Sequence, residues 1–212
     1  MKRQRHLPIM VVLAMAGCAA PRPQTPVASA PSPSQRPAPE RPRVPAHIDI
    51  ALKLPEKGAD GRYVTANSNL GPLETMFHFR SALNVAALGC ASAGNTAPRD
   101  GYNAFLKRHR SVLANANRAI DAKYRRDFGA EGLRVRDAKL TSLYNQFSYP
   151  PVKRDFCRVT AHHLGAANAL APRDLEAYSQ GALAEIEQLF QDYYAEVATY
   201  QARYGRELTT SR

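Results

Sequence analysis

From Leu73 onward, apolar residues recur every three or four positions, the spacing that places them along one face of an α-helix. Gly71-Pro72-Leu73-Glu74 is a helix start, with proline at the first helical position and an acid in the first turn. The helix it opens runs to about Ala91 and is apolar on nearly every side, as expected of a central helix. After a Gly94–Pro98 break, Tyr102, Phe105, Leu106, Val112, Leu113, Ala116, Ile120 and Tyr124 mark one face of a second helix. A third spans about Leu133 to Phe147 and ends at Pro150-Pro151. A fourth carries Phe156, Cys157, Val159 and Leu164 and stops near Ala169. Ala171-Pro172-Arg173-Asp174 opens the last and longest, whose stripe runs unbroken from Leu175 through Ile186 and Tyr193 to Tyr204.

Upstream the period changes. Ile48, Ile50, Leu52 and Leu54 alternate with Asp49, Ala51 and Lys53, a two-residue repeat followed by turn chemistry from Pro55 to Gly61. This pattern fits either a short β-hairpin returning through Arg62–Thr65 or an extended arm lying over the helices. The expected fold class is therefore all-α: a five-helix bundle over residues 46–212, with a short N-terminal hairpin or arm.

The first 45 residues follow neither pattern. Lys2, Arg3 and Arg5 precede an apolar run from Leu7 to Ala16, then small residues and Cys18: the n-region, h-region and processing site of an export signal. The run is far short of the roughly 20 residues that span a bilayer. Met15-Ala16-Gly17-Cys18 resembles the lipobox of bacterial lipoproteins, with Met15 where leucine is usual. The resemblance covers only about the first twenty residues. It implies that residues 1–17 are removed and that Cys18 is diacylated, anchoring the chain to a membrane. Ala19, where aspartate commonly signals inner-membrane retention, implies the outer membrane, facing the periplasm.

Nine of the 27 residues from Ala19 to Pro45 are proline, mixed with Ala, Ser, Gln and Arg. Such a segment lacks the apolar surface to offset its ordering entropy, and proline removes hydrogen-bond donors. Residues 18–45 are thus read as a lipidated cysteine and an extended tether, with a reach of roughly 80 Å at polyproline spacing. Lipid on Cys18 leaves Cys90 and Cys157, an even remainder that in an exported chain suggests one disulfide.

Charge adds a candidate surface. The chain carries a net +11, and residues 99–158 hold 14 Lys/Arg against 6 Asp/Glu, whereas 172–212 hold 4 against 7. Lys107, Arg118 and Arg125 fall near one line opposite the apolar face of the second predicted helix. They suit an anionic envelope polymer or protein partner, or serve only as a solvated face that the acidic last helix partly answers. No nucleic-acid-binding motif is present. Metal-binding H-E-x-x-H, G-x-S-x-G and phosphate-cradling glycine loops are also missing from the sequence, so no cofactor or metal is expected. The remaining chemistry lies in Arg80 and Asn84, one turn apart on the central helix, and His109, in the middle of the second helix's apolar face. These three form a candidate semi-buried polar pocket for an enzyme, or a core network that sets helix register. A non-catalytic binding or scaffolding role fits the pattern better than an enzyme.

Overall fold

A computed structural model describes residues 44–92 and 94–209, with side chains through residue 204. The export signal, Cys18 and the tether up to residue 43 lie outside the described residues. Among the described residues six α-helices follow one another: α1 (Pro72–Gly89), α2 (Ala97–Arg108), α3 (Arg110–Phe128), α4 (Gly132–Phe147), α5 (Lys153–Ala169) and α6 (Leu175–Thr209). Short 3-10 turns at Gly129–Glu131, Pro150–Val152 and Pro172–Asp174 lead into α4, α5 and α6.

α1 begins where the sequence places it. Pro72 needs no donor in the first turn, and the Glu74 carboxylate reaches back to the Gly71 N–H at 3.3 Å. It packs against every other helix, so the expectation of a central helix holds. Leu73 and Leu88, at its two ends, nevertheless face solvent. Its Phe79 lies at a node with Phe105 of α2, His163 of α5 and Tyr178 of α6, ring centroids 6.0–6.3 Å apart and edge-on. A second node joins Phe147 of α4, Phe156 of α5 and Phe190 of α6. Cys90, which caps α1, is bonded to Cys157 of α5 across 67 positions, with Cα atoms 5.7 Å apart. The all-α bundle with one disulfide is the observed fold.

The second predicted helix is two helices. The backbone of His109 leaves the helical region (φ −101°, ψ 16°), and α2 and α3 part there. Side chains at the bend reach the end of α5, where helical carbonyls run short of backbone donors. His109 Nε2 donates to the Ala167 carbonyl at 2.8 Å, and Arg108 Nε donates to the Leu170 carbonyl at 2.6 Å. The bend keeps its own bonds: the His109 N–H reaches Phe105 O, and Leu113 N–H reaches His109 O. α2 thus lies on α1 and α5, and α3 turns away to pair with α1 and α4.

α3 and α4 form a hairpin whose turn rests on two glycines. Gly129 adopts φ +59°, and Gly132 lies so close to α3 that a Cβ would overlap the Tyr124 carbonyl and sit 2.8 Å from the Arg125 nitrogen. Gly132→Ala is therefore expected to cost about 2 kcal/mol through a backbone shift at the turn. Urea unfolding of the variant checks this, and an unchanged midpoint would mean that the turn is not held as described.

The alternating segment is an arm, not a strand. Ile48 is buried and Ile50, Leu52 and Leu54 are half-buried, so the alternation identifies the inward side correctly. Turns break it, with Ile48 N–H on Pro45 O, Leu52 N–H on Asp49 O and Ala51 N–H on the Asp49 carboxylate. A hairpin survives as a single antiparallel bridge between Lys57 and Tyr63. The partner of the arm is α6, whose side chains stand in for a neighbouring strand. Gln201 donates to Ile50 O and Leu52 O, and Tyr193 Oη accepts from the Asp49 N–H and donates to His47 O. Gln191 takes both backbone groups of Tyr63, at 2.8 and 2.9 Å.

Candidate functional site

Lys107, Arg118 and Arg125 are all exposed, and they lie on two helices where one was expected: Lys107 belongs to α2, while Arg118 and Arg125 share α3. None of the three has a carboxylate partner among the described residues. The cations with partners are their neighbours. Arg136 binds Asp121 at 2.6 Å, and Lys123 lies between Glu74 and Asp127 at 3.5 and 3.2 Å. Three acids of α6 have other partners: Glu185 meets His163 at 3.1 Å, Glu196 meets His47 at 3.3 Å, and Asp192 accepts from Gln188. No ion pair joins α6 to α3 or α4 among the described residues.

The hairpin end adds apolar residues to this charge. Phe128 and Leu133, on either side of the turn, are 44% and 38% exposed, and residues 125–131 are all exposed. The Tyr124 and Phe128 rings stack 5.8 Å apart, which holds Phe128 along the axis of α3. Nothing in the sequence separates these two apolar residues from core residues, because both continue the helical stripes of their own helices.

Two of the three candidate pocket residues meet. Arg80 and Asn84 of α1 both border the phenol of Tyr102 on α2. Burial pushes that phenol above its ordinary pKa, against a downward pull from Arg80 and Asn84. Arg80 Nε and the Tyr102 hydroxyl are buried without a hydrogen-bond partner. His109 is fully buried and bonded to α5. A cleft that none of these three lines is bordered by Ala86, Gly101, Leu164, Gly165 and the two bridged cysteines, a mostly apolar space of about 340 Å³.

A polar cluster that the sequence reading does not single out lies under the arm. Glu187, only 8% exposed, accepts four hydrogen bonds: from Thr65 Oγ1 and Gln191 Nε2 on one oxygen, and from Asn67 Nδ2 and Gln146 Nε2 on the other, at 2.7–2.9 Å. Full satisfaction is what makes a buried carboxylate tolerable. Asn67 Oδ1 in turn accepts from His78 Nδ1 at 2.9 Å, which extends the chain of bonds to α1. Glu187 also lines a polar cavity of about 510 Å³ with Asp60, Arg62, Asn67, Asn69 and Gln191. The signal in the sequence was the four-residue step from Glu187 to Gln191, next to the apolar stripe of α6.

His78 has its pKa lowered to about 4, chiefly by burial, with Glu74 raising it and Lys139 lowering it. Its unfolded value is near 6.5, so between pH 6.5 and 4 the unfolded chain binds more protons. Stability from the neutral imidazole is fully present above pH 6.5 and is lost as pH falls toward 4, at about 1.4 kcal/mol per unit within that window. Urea midpoints measured from pH 7 to 4 check this, and His78→Gln should flatten the dependence. His163 shifts in the same direction: burial lowers its pKa, Glu185 raises it and His162 lowers it. His163 also bonds Tyr178 Oη at 2.8 Å.

No cluster of three or more His, Cys, Asp or Glu side chains suited to a metal occurs among the described residues, and none of the described helices is long and apolar enough to cross a membrane. Comparison with known protein families, with curated proteins and with solved structures finds nothing that this chain matches.

Proposed function

We propose that this chain is a lipid-anchored protein of the bacterial envelope with a non-catalytic binding or scaffolding role. Cys18 carries the anchor, residues 19–45 tether the helical domain to it, and the basic surface of α2–α4 contacts an anionic partner. The outer membrane, facing the periplasm, is its place. One observation carries the binding role: Lys107, Arg118 and Arg125 are exposed without carboxylate partners among the described residues, and no ion pair among those residues joins α6 to α3 or α4. Charge left unanswered on one side attracts counter-charge from another molecule, at short range under physiological salt. A disulfide suits an oxidising compartment, which supports export.

The anchor is tested by intact mass of the protein purified from membranes. A chain beginning at Cys18 and carrying acyl mass is expected, and Cys18→Ser should abolish that processing and acylation. A chain cleaved elsewhere with Cys18 unmodified contradicts the reading.

A further inference from the structure

We propose that the α3–α4 turn is a lipid-contacting wedge, with Phe128 and Leu133 entering an anionic phospholipid surface while Arg125 holds its headgroups. This deepens the proposed function and rests on it for the partner's location. Three features of the turn select a lipid surface over an acidic protein or glycan. The first is shape. The turn packs against its own two helices, and residues 125–131 are exposed, so the apolar pair sits on a projecting end and not in a groove. A projecting apolar end inserts into a fluid interface without needing a complementary hollow.

The second feature is the combination of charge and apolar surface. Residues 123–139 contain six Lys/Arg and three Asp/Glu. Two of those acids are already neutralised: Asp127 by Lys123 and Arg126, and Glu131 by Arg134. Arg125 is left without a carboxylate partner among the described residues. Cations beside an apolar apex are the arrangement that anionic headgroups over acyl chains satisfy at once. An acidic glycan would answer the charge but leave Phe128 and Leu133 in water.

The third is the tether. A lipid on Cys18 makes contact with the surface an intramolecular event, so a weak interfacial affinity is enough to keep the tip seated. A spacer of roughly 80 Å permits the domain to turn this end toward the membrane.

The chain contains no tryptophan, so Phe128→Trp creates a lone indole at the apex. Leu88→Trp, at 73% exposed on α1, supplies a control on another surface. The full-length protein, purified from membranes and reconstituted, is compared in vesicles of phosphatidylcholine with and without phosphatidylglycerol. The Phe128→Trp emission is expected to shift to the blue and to be quenched by brominated acyl chains when phosphatidylglycerol is present, while Leu88→Trp stays water-like. Adding Arg125→Gln should lower the ratio of seated to free tip about fivefold. An apex indole as wet as the control overturns the proposal, as does equal insertion into neutral vesicles. If Cys18 proves unacylated, the anchor reading fails separately, and the same fluorescence on protein added from solution still decides the wedge. Charge-dependent association with an acidic polymer while the apex stays wet overturns the wedge and leaves the basic surface standing.

Discussion

Replacing both Cys90 and Cys157 with alanine is expected to cost about 4 kcal/mol of folding stability. The bridge closes a loop of 67 positions that includes all of α2, α3 and α4. Without it, the unfolded chain regains the freedom of that whole loop, while the folded state loses only a contact at the end of α1. The cross-link also fixes α1 to α5 beside the apolar cleft, where Gly101 and Leu164 bring α2 against α5. Urea unfolding under oxidising and reducing conditions measures the effect: reduction should move the midpoint of the native protein to that of the double variant. The double variant itself should not respond to reductant. A change below 1 kcal/mol would mean that the loop is already constrained in the unfolded state.

Glu187→Ala is expected to cost about 3 kcal/mol and to loosen the arm from α6. The carboxylate is the common acceptor for donors from the arm, α4 and α6, and its loss leaves Thr65, Asn67, Gln146 and Gln191 to find other partners inside the protein. Glu187→Gln separates hydrogen bonding from shape. Each carboxylate oxygen accepts two bonds, so the amide group of glutamine opposes two donors whichever way it is turned. The isosteric variant should therefore also be destabilised, by at least 1 kcal/mol. Faster amide hydrogen exchange at Tyr63 should accompany both changes, since Gln191 holds that residue and is itself bonded to Glu187. An unperturbed Glu187→Gln protein would show that the site tolerates any side chain of this size.

The helical architecture was legible because its signals are local and redundant: Pro72 with Glu74, Pro150-Pro151, and the stripe from Leu175 to Tyr204 each mark an element independently. The cysteine pairing was legible from the odd count. The bend at His109 was not, because the carbonyls that its side chains reach belong to Ala167 and Leu170, about sixty positions away. That bend puts Lys107 on a different helix from Arg118 and Arg125. The arm shows a subtler limit. Alternation from Ile48 to Leu54 reports which side is buried, but not what covers the backbone, and here glutamine and tyrosine side chains of α6 do so. Glu187 was hidden for the opposite reason. A glutamate on an amphipathic helix reads as solvent-facing unless its four donors, from three separate segments, are already in view.

The working surface is tested most directly in living cells. The full-length protein and a Lys107→Glu, Arg118→Glu, Arg125→Glu variant are crosslinked in the envelope, isolated, and their adducts identified by mass. All three residues are exposed, so the variant should melt within a few degrees of the native protein. The native protein is expected to carry an anionic envelope component which the variant loses at equal abundance and equal lipidation. The same adducts at the same yield on both proteins would contradict it.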